Sequence, residues 1–373
     1  MTTSEAADSN GERWVLQFCH GYDGPFLDCA RQYAVLFRDS PYRVCTVYLT
    51  GEPSAEVERG SASDEVIFLN YSSRQIRGLK LAAIRAFRRI AASRDFALCI
   101  AHRFKPIYIA LLGSELPVIG VHHAFGDYQR RSRRLFAGFF RERLHLLGVS
   151  DAVRDDIRAC LPGWPAERIE TLYNRIDLAA VQAEQLDRAA AREHLDLPQD
   201  AWVVGNVGRL HPDKDQATLI RGFAQALPQL PAGSLLAIMG SGRLEASLKA
   251  LAAELGVSDS VRFLGQVPHG RRYFKAFDVF ALSSDHEPFG MVLLEAMAAG
   301  VPLVCSNCGG GREVVEGVGQ LFEFGEVTQL SACLIRAAGQ AQTDGTELVE
   351  RIRERFSDQA VRAVFLARYQ ELV

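Results

Sequence analysis

Two glutamates, Glu287 and Glu295, have seven residues between them in the stretch SSDHEPFGMVLLEAMAAG. The first lies in a turn-forming run with Pro288 and Gly290, the second inside an apolar stretch that reads as a helix. A helix beginning at Gly290 leaves the backbone N–H groups of Phe289, Gly290 and Met291 without intrahelical partners, and the helix dipole there favours a phosphate or a sugar hydroxyl. A carboxylate can accept two hydroxyl hydrogen bonds and so grip a vicinal diol, which makes both glutamates candidate sugar ligands. The alternative is an acid and base pair of the glycosidase type, but that chemistry needs water between its carboxylates.

A second constellation lies upstream in GNVGRLHPDKDQATLIRGF. Here a strand ends near Val207, a loop turns at Gly208, and a helix begins near Asp215, with Arg209 and Lys214 bracketing the loop. Guanidinium and ammonium groups at that spacing can converge on one diphosphate; the plain alternative is an exposed basic loop. MGSGRLEASL repeats the strand, turn and helix pattern, and Gly240 and Gly242 allow either close approach of a ligand or a turn needed only for packing. This stretch lacks the third glycine of the dinucleotide fingerprint.

These loops need strands and helices behind them, and the chain supplies both. Apolar β-rich runs begin at WVLQFCHG, RVCTVYL, EVIFLN, FALCIAH, PVIGVHH and LHLLGVS, and again at WVVGNVGRL, SLLAIMGSG, VRFLGQV, DVFALSS and PLVCSN. Helical patterns alternate with them, among them RQIRGLKLAAIRAFRRIAAS, which makes the chain α/β with parallel sheets. The length of 373 residues exceeds one comfortable core. The reading is two Rossmann-like domains facing each other across a cleft: 1–178, then 179–355, with 356–373 a closing helix capped by Ser357 or Asp358. LAAVQAEQLDRAAAREHLDLPQ separates the two and holds a short helix.

Hydrophobic residues make up 48% and charged residues 23%, and the net charge is −3, so bulk charge gives no reason to invoke nucleic acid. The charge is uneven: residues 72–143 hold 15 Lys or Arg against 4 Asp or Glu. A face of that kind attracts phosphates or anionic lipid, or else is a set of solvated helix faces. The opening MTTSEAADSNGER lacks a secretory pattern, and no run reaches the ~18 apolar residues a spanning helix needs, so the chain reads as cytoplasmic. Eight scattered cysteines suit a reducing compartment, and the lone C-x-x-C at Cys305 and Cys308 has no second pair to make a zinc site.

The order G-R-L-x3-K (208–214), IMGSG, VRFLGQV, DVFALSS, E-P-F-G-x4-E (287–295), GVP and GG with Glu313 resembles the retaining GT-B glycosyltransferases, in particular the large branch with lipopolysaccharide-core, mannosyl and sucrose-forming enzymes. The likeness covers about 130 residues closely. It extends weakly over the first half through HLLGVSDAVRDDI and IETLYNRIDL. By position the resemblance implies that Arg209 and Lys214 hold the donor diphosphate, Glu295 the ribose, Glu287 the transferred sugar, and the N–H groups of Phe289, Gly290 and Met291 the β-phosphate and sugar. It places an active-site histidine at His123, with His122 where an apolar residue is usual. Two departures stand out. CHGYDGPFLDC replaces the family's G-G-x-E loop, keeping Gly21 and Gly24 for a phosphate-approaching turn, and at the hinge Tyr173 and Arg175 replace proline and glycine.

The resemblance implies retaining transfer of a sugar from a nucleoside diphosphate sugar to an acceptor hydroxyl, without metal or other cofactor, in lipopolysaccharide core or other surface glycan synthesis. It also implies a last helix that crosses back to the first domain. A sugar-nucleotide epimerase or a phosphorylase on the same scaffold is the competing enzyme reading, and a silent sugar-nucleotide-binding subunit the competing non-enzymatic one. The basic helices with interleaved Phe, Leu and Ile at 74–94 and 128–144 suit peripheral attachment to the cytoplasmic leaflet, or a phosphate on the acceptor.

Overall fold

A computed structural model describes residues 13–340 and 345–369. Residues 1–12, the last four residues and the short run 341–344 lie outside the described residues, and the reading of MTTSEAADSNGER falls almost wholly there. The chain divides into two compact units: 1–149 with 153–172 and 362–373, and 150–152 with 173–361. The division falls at 172/173, a few residues before the boundary expected from sequence at 178/179.

The first unit is built on a seven-stranded sheet: β1 Arg13–Cys19, β2 Tyr42–Tyr48, β3 Glu65–Phe68, β4 Phe96–His102, β5 Val118–His122, β6 Leu144–Gly148 and β7 Ile169–Thr171, in spatial order 3-2-1-4-5-6-7. Every pairing is parallel. Strands buried on both faces must be apolar throughout, which is why Val15, Leu16, Phe18, Leu98, Ile100, Val118 and Leu146 are all sealed from solvent. β7 was not foreseen, because three residues of Ile-Glu-Thr carry no periodicity. The basic helix is shorter than RQIRGLKLAAIRAFRRIAAS suggests: it runs only over Leu81–Ala91. Gly78 and Lys80 both take left-handed φ, 59° and 55°, which no helix continues through.

The second unit has six parallel strands: β8 Val203–Val207, β9 Leu235–Met239, β10 Val261–Gly265, β11 Val279–Leu282, β12 Leu303–Ser306 and β13 Gln320–Phe322, in order 10-9-8-11-12-13. Its core joins Val204, Leu219, Phe223, Leu236, Ile238 and Leu330. Burying a side chain such as Phe223 contributes about 1.5–3 kcal/mol. Two helices, Leu178–Glu184 and Arg188–His194, fill the segment expected to hold one, each capped by an aspartate. The second is clasped to the sheet by fully buried Arg192, whose Nη2 lies 2.8 Å from Asp278 Oδ2.

The closing helix, Asp358–Tyr369, is capped by Ser357 Oγ, which accepts from Ala360 N–H at 3.1 Å. Asp358 instead pairs with Arg175 Nε at 3.2 Å, and Arg175 is fully buried. The unexpected hinge arginine is thus a structural anchor within its own unit. From Arg362 onward the helix is part of the first unit. Its guanidinium donates to the carbonyls of Leu36 and Arg38, and Phe365 meets Phe37 with ring centroids 5.6 Å apart.

Candidate functional site

In each sheet the strand order reverses once, between β1 and β4 and between β8 and β11. Ligands of open parallel sheets bind beyond the carboxyl ends of strands at such reversals. The residues singled out from sequence stand at both.

In the second unit the loops after β8 and β11 are stitched together. Ser283 Oγ donates to the carbonyls of Lys214 and Asp215 (3.0 and 2.9 Å), and Asp285 N–H donates to Asp213 O at 3.1 Å. This brings Lys214 Nζ within 2.7 Å of Glu287 Oε2, and Ser284 Oγ donates to the same oxygen at 3.3 Å. Glu287 is only 7% exposed, so its carboxylate is held in place rather than waving in water. Arg209, by contrast, has a side chain 71% exposed and pairs loosely with Asp213, at 3.5 Å. Lys214 and Glu287 are therefore brought together, while Arg209 stays on the rim of the same loop.

Gly290 begins the helix Met291–Ala298 at φ 94°, a left-handed turn open to glycine. No side chain caps that end. Phe289 is buried, its ring near Phe356 and Tyr173 at 5.7 and 6.1 Å, so its side chain is anchored in the interior. Glu295 lies in the second turn of the helix, half-buried. Behind the turn a Cβ on Gly309 would sit 2.3 Å from Glu287 O and one on Gly310 2.3 Å from Pro288 O. These two glycines, with Ser284, support the site and were missed; the GG run was visible in sequence, but not what it leans on. Cys308 Sγ donates to Ser284 O at 2.8 Å, and burial pushes the Cys305 thiol well up. The C-x-x-C is reduced packing behind the same turn.

Gly240 and Gly242 serve a different end from ligand approach alone. A Cβ on Gly240 would lie 1.9 Å from Gly208 O, and one on Gly242 2.4 Å from Leu210 O. The two loops are zipped by Gly208 N–H to Met239 O and Leu210 N–H to Ser241 O, both 3.0 Å. The packing alternative explains both glycines and sets Gly208 and Arg209 in position.

In the first unit, His122 and His123 end β5 and take opposite roles. His122 is fully buried: Nδ1 is 2.7 Å from Asp127 Oδ2, and Tyr128 Oη is 3.2 Å from Nε2. Burial alone raises the Asp127 carboxyl, but His122 and Arg133 outweigh it and hold it below the usual range. His122 is thus a satisfied core histidine rather than an acceptor contact. His123 is half-buried, with Nε2 3.0 Å from His102 Nδ1 and Nδ1 3.8 Å from Cys29 Sγ. Burial, then His122 and Arg103, push its pKa down to about 3, so the ring is neutral. Gly24 turns at φ 60° with open space beside it, whereas a Cβ on Gly21 would meet Thr50 Oγ1 at 2.7 Å. His102 and Cys29, which position His123, carried no spacing signal.

Comparison with known proteins adds family context. The model of glycosyl transferases group 1 matches residues 187–356 and that of glycosyltransferase family 4 matches residues 31–180. The lipopolysaccharide core biosynthesis glycosyltransferase LpsE of Rhizobium meliloti is 35% identical over 231 residues, 61% of this chain and 62% of that protein. The D-inositol 3-phosphate glycosyltransferase of Streptomyces griseus is 34% identical over 232 residues, 59% of this chain and 48% of that protein. The chain thus spans about half to three fifths of these relatives. Among solved structures, a glycosyltransferase from Rickettsia africae superposes with TM-score 0.83 at 13% identity, covering 97% of this chain and 98% of that one. Anabaena HepE, solved with UDP and glucose, gives 0.75 at 20% identity, covering 95% and 99%. With a glycosyltransferase family matching each half in turn and the two-sheet fold shared along nearly the whole chain, this protein belongs to the GT-B glycosyltransferases.

Proposed function

We propose that the chain transfers a sugar from a nucleoside diphosphate sugar to an acceptor hydroxyl, with retention at the anomeric carbon and without a metal. The observation that carries this reading is the meeting of Lys214 and Glu287, 2.7 Å apart, at the β8/β11 reversal beside the uncapped start of the helix Met291–Ala298. A cation and free N–H groups suit a diphosphate; a fixed carboxylate suits sugar hydroxyls. Both lie within reach of one ligand.

In the proposed reaction the bond from the anomeric carbon to the diphosphate breaks and a bond to the acceptor oxygen forms on the same face. The acceptor proton passes to a leaving-phosphate oxygen, so no protein base is required. Lys214, Arg209 from the rim, and the N–H groups of 289–291 supply fixed positive potential where charge grows on the leaving group. Glu287 orients the transferred sugar and Glu295 the ribose. Gly208, Gly240 and Gly242 hold the loop that carries Arg209. The resemblance also implies an active-site role for His123, whose neutral ring is held by His102.

Thermal stabilisation by UDP-, GDP- and ADP-sugars tests donor binding, since a ligand at a hundredfold its Kd adds ~2.7 kcal/mol. Product anomer analysis by NMR tests retention. No stabilisation by any nucleotide sugar contradicts the reading, as does an inverted product.

The acceptor is proposed to be a surface glycan, a reading supported by the likeness to a lipopolysaccharide core enzyme. No helix among the described residues is long and apolar enough to cross a membrane. A peripheral contact is proposed instead. Leu79, Leu81, Leu135 and Phe139 are 67%, 54%, 76% and 82% exposed among arginines. Tyr108 links their two segments, with its ring 4.8 Å from Lys80 Nζ and 4.8 Å from the Phe136 ring. Such a mixed face suits an anionic bilayer. Leu135→Ser with Phe139→Ser should reduce flotation with anionic liposomes several-fold; unchanged flotation removes the membrane contact.

A further inference from the structure

The first unit has its own reversal point, and its chemistry is unlike that of the second. His20 follows β1. Arg103 and Lys105 follow β4, and Lys80 precedes the helix Leu81–Ala91 and reaches over Tyr108 of the helix Phe104–Gly113. Arg103 stacks its guanidinium on Phe26, 4.7 Å from the ring centre, and Phe26 in turn stands edge-on to His123. The cluster thus borders the half-buried histidine already placed in the candidate site.

Among the described residues none of Lys80, Arg103 and Lys105 makes an ion pair with a carboxylate. Lys80 donates to Gly78 O at 2.7 Å and lies 4.8 Å from the ring of Tyr108, which is one turn beyond Lys105 on the same helix; in keeping with that closeness burial, then Lys105, lowers the Lys80 ammonium, and burial, then Lys105 and Arg103, push His20 down to about 4. Arg103 and Lys105 also sit at the amino end of a ten-residue helix with no acidic residue in its first turn, where the helix dipole opposes a cation. Three cations from two elements, without a carboxylate partner among the described residues and set at a sheet reversal, leave charge that an anion from outside can complete.

We infer that this end of the first sheet is a phosphoryl subsite, in which Lys80, Arg103 and Lys105, with His20 beside them, hold a phosphate monoester carried by the acceptor. A dianion with three acceptor oxygens matches three cations, whereas a single carboxylate leaves most of the charge uncompensated. The word acceptor rests on the glycosyltransferase reading; the phosphate site itself does not. The phosphate is carried either by a soluble sugar phosphate or by a lipid headgroup, and the same residues serve both.

The full chain is titrated with glycerol 3-phosphate by calorimetry, and its binding to phosphatidic acid vesicles is compared with phosphatidylserine vesicles of matched charge. Parallel titrations use Lys105→Ala and Lys80→Ala/Lys105→Ala. UDP-sugar binding is measured on every protein as the separate check on the donor site, and unchanged nucleotide binding also shows that the variants fold. Soluble phosphate binding that weakens at least tenfold in the double variant supports a soluble acceptor. Preference for phosphatidic acid vesicles alone, lost in the double variant, supports a lipid-borne one. Equal binding by wild type and double variant, or no phosphate binding in either format, overturns the subsite. Absence of UDP-sugar binding by the wild type instead strikes the donor reading and leaves the phosphate result standing.

Discussion

Lys214 and Glu287, 73 residues apart in sequence, form one ion pair of 2.7 Å at the carboxyl edge of the second sheet. The pair ties the loop after β8 to the turn after β11 and leaves a cation and a carboxylate side by side where a ligand can exchange with either. Without a donor, each charge satisfies the other.

Removing one partner leaves the other poorly solvated. Lys214→Met and Glu287→Gln should each lower stability by about 1–3 kcal/mol, and the double variant should recover part of that loss. Urea denaturation of the four proteins measures the coupling. Strictly additive losses would show that the contact holds nothing together. Turnover should fall about a hundredfold or more in either single variant.

Gly240 faces Gly208 O at a distance no side chain tolerates, with φ 144°. Gly240→Ala should therefore destabilise the second unit by about 3 kcal/mol or more, whereas Gly138→Ala, with nothing within 4 Å of the added carbon, should be neutral or slightly stabilising. Thermal melts compare them directly. Equal melting temperatures would mean that the 208–210 loop moves aside freely.

The histidines predict an acid limit. In the unfolded chain each titrates near about 6.5; in the fold His123 is pushed down to about 3 and His20 and His145 to about 4, in each case by burial first. Between those values the unfolded chain binds more protons than the folded one, so stability falls as pH drops below about 6.5 and is level above it. The urea midpoint should decline from pH 6.5 toward 4, and the His123 Cε1 proton should not shift between pH 8 and 5. A titration of that proton near 6.5 would contradict a neutral ring.

Much of this was legible in the sequence, and for particular reasons. β8, β9 and β11 are apolar runs bounded by glycine or serine, so the loops carrying Arg209, Lys214 and Glu287 could be placed at strand ends. The short β7 and β13 were not legible, since three residues show no period. The basic helix read too long because Lys80 does not advertise a left-handed conformation. His122 and His123 looked alike as neighbours in sequence; only the pleat, sending one ring toward Asp127 and the other toward His102, tells them apart. The role of Gly240 and Gly242 depends on the neighbouring loop at Gly208 and Leu210, far back in the chain, which local spacing cannot show.

A crystal structure with a bound nucleoside diphosphate sugar tests the central claim most directly. The account predicts the diphosphate within hydrogen-bonding distance of Lys214 and the N–H groups of 289–291, with a sugar hydroxyl on Glu287. A diphosphate bound away from both the 209–214 loop and the 287–291 turn, with the Lys214–Glu287 pair intact, would contradict it.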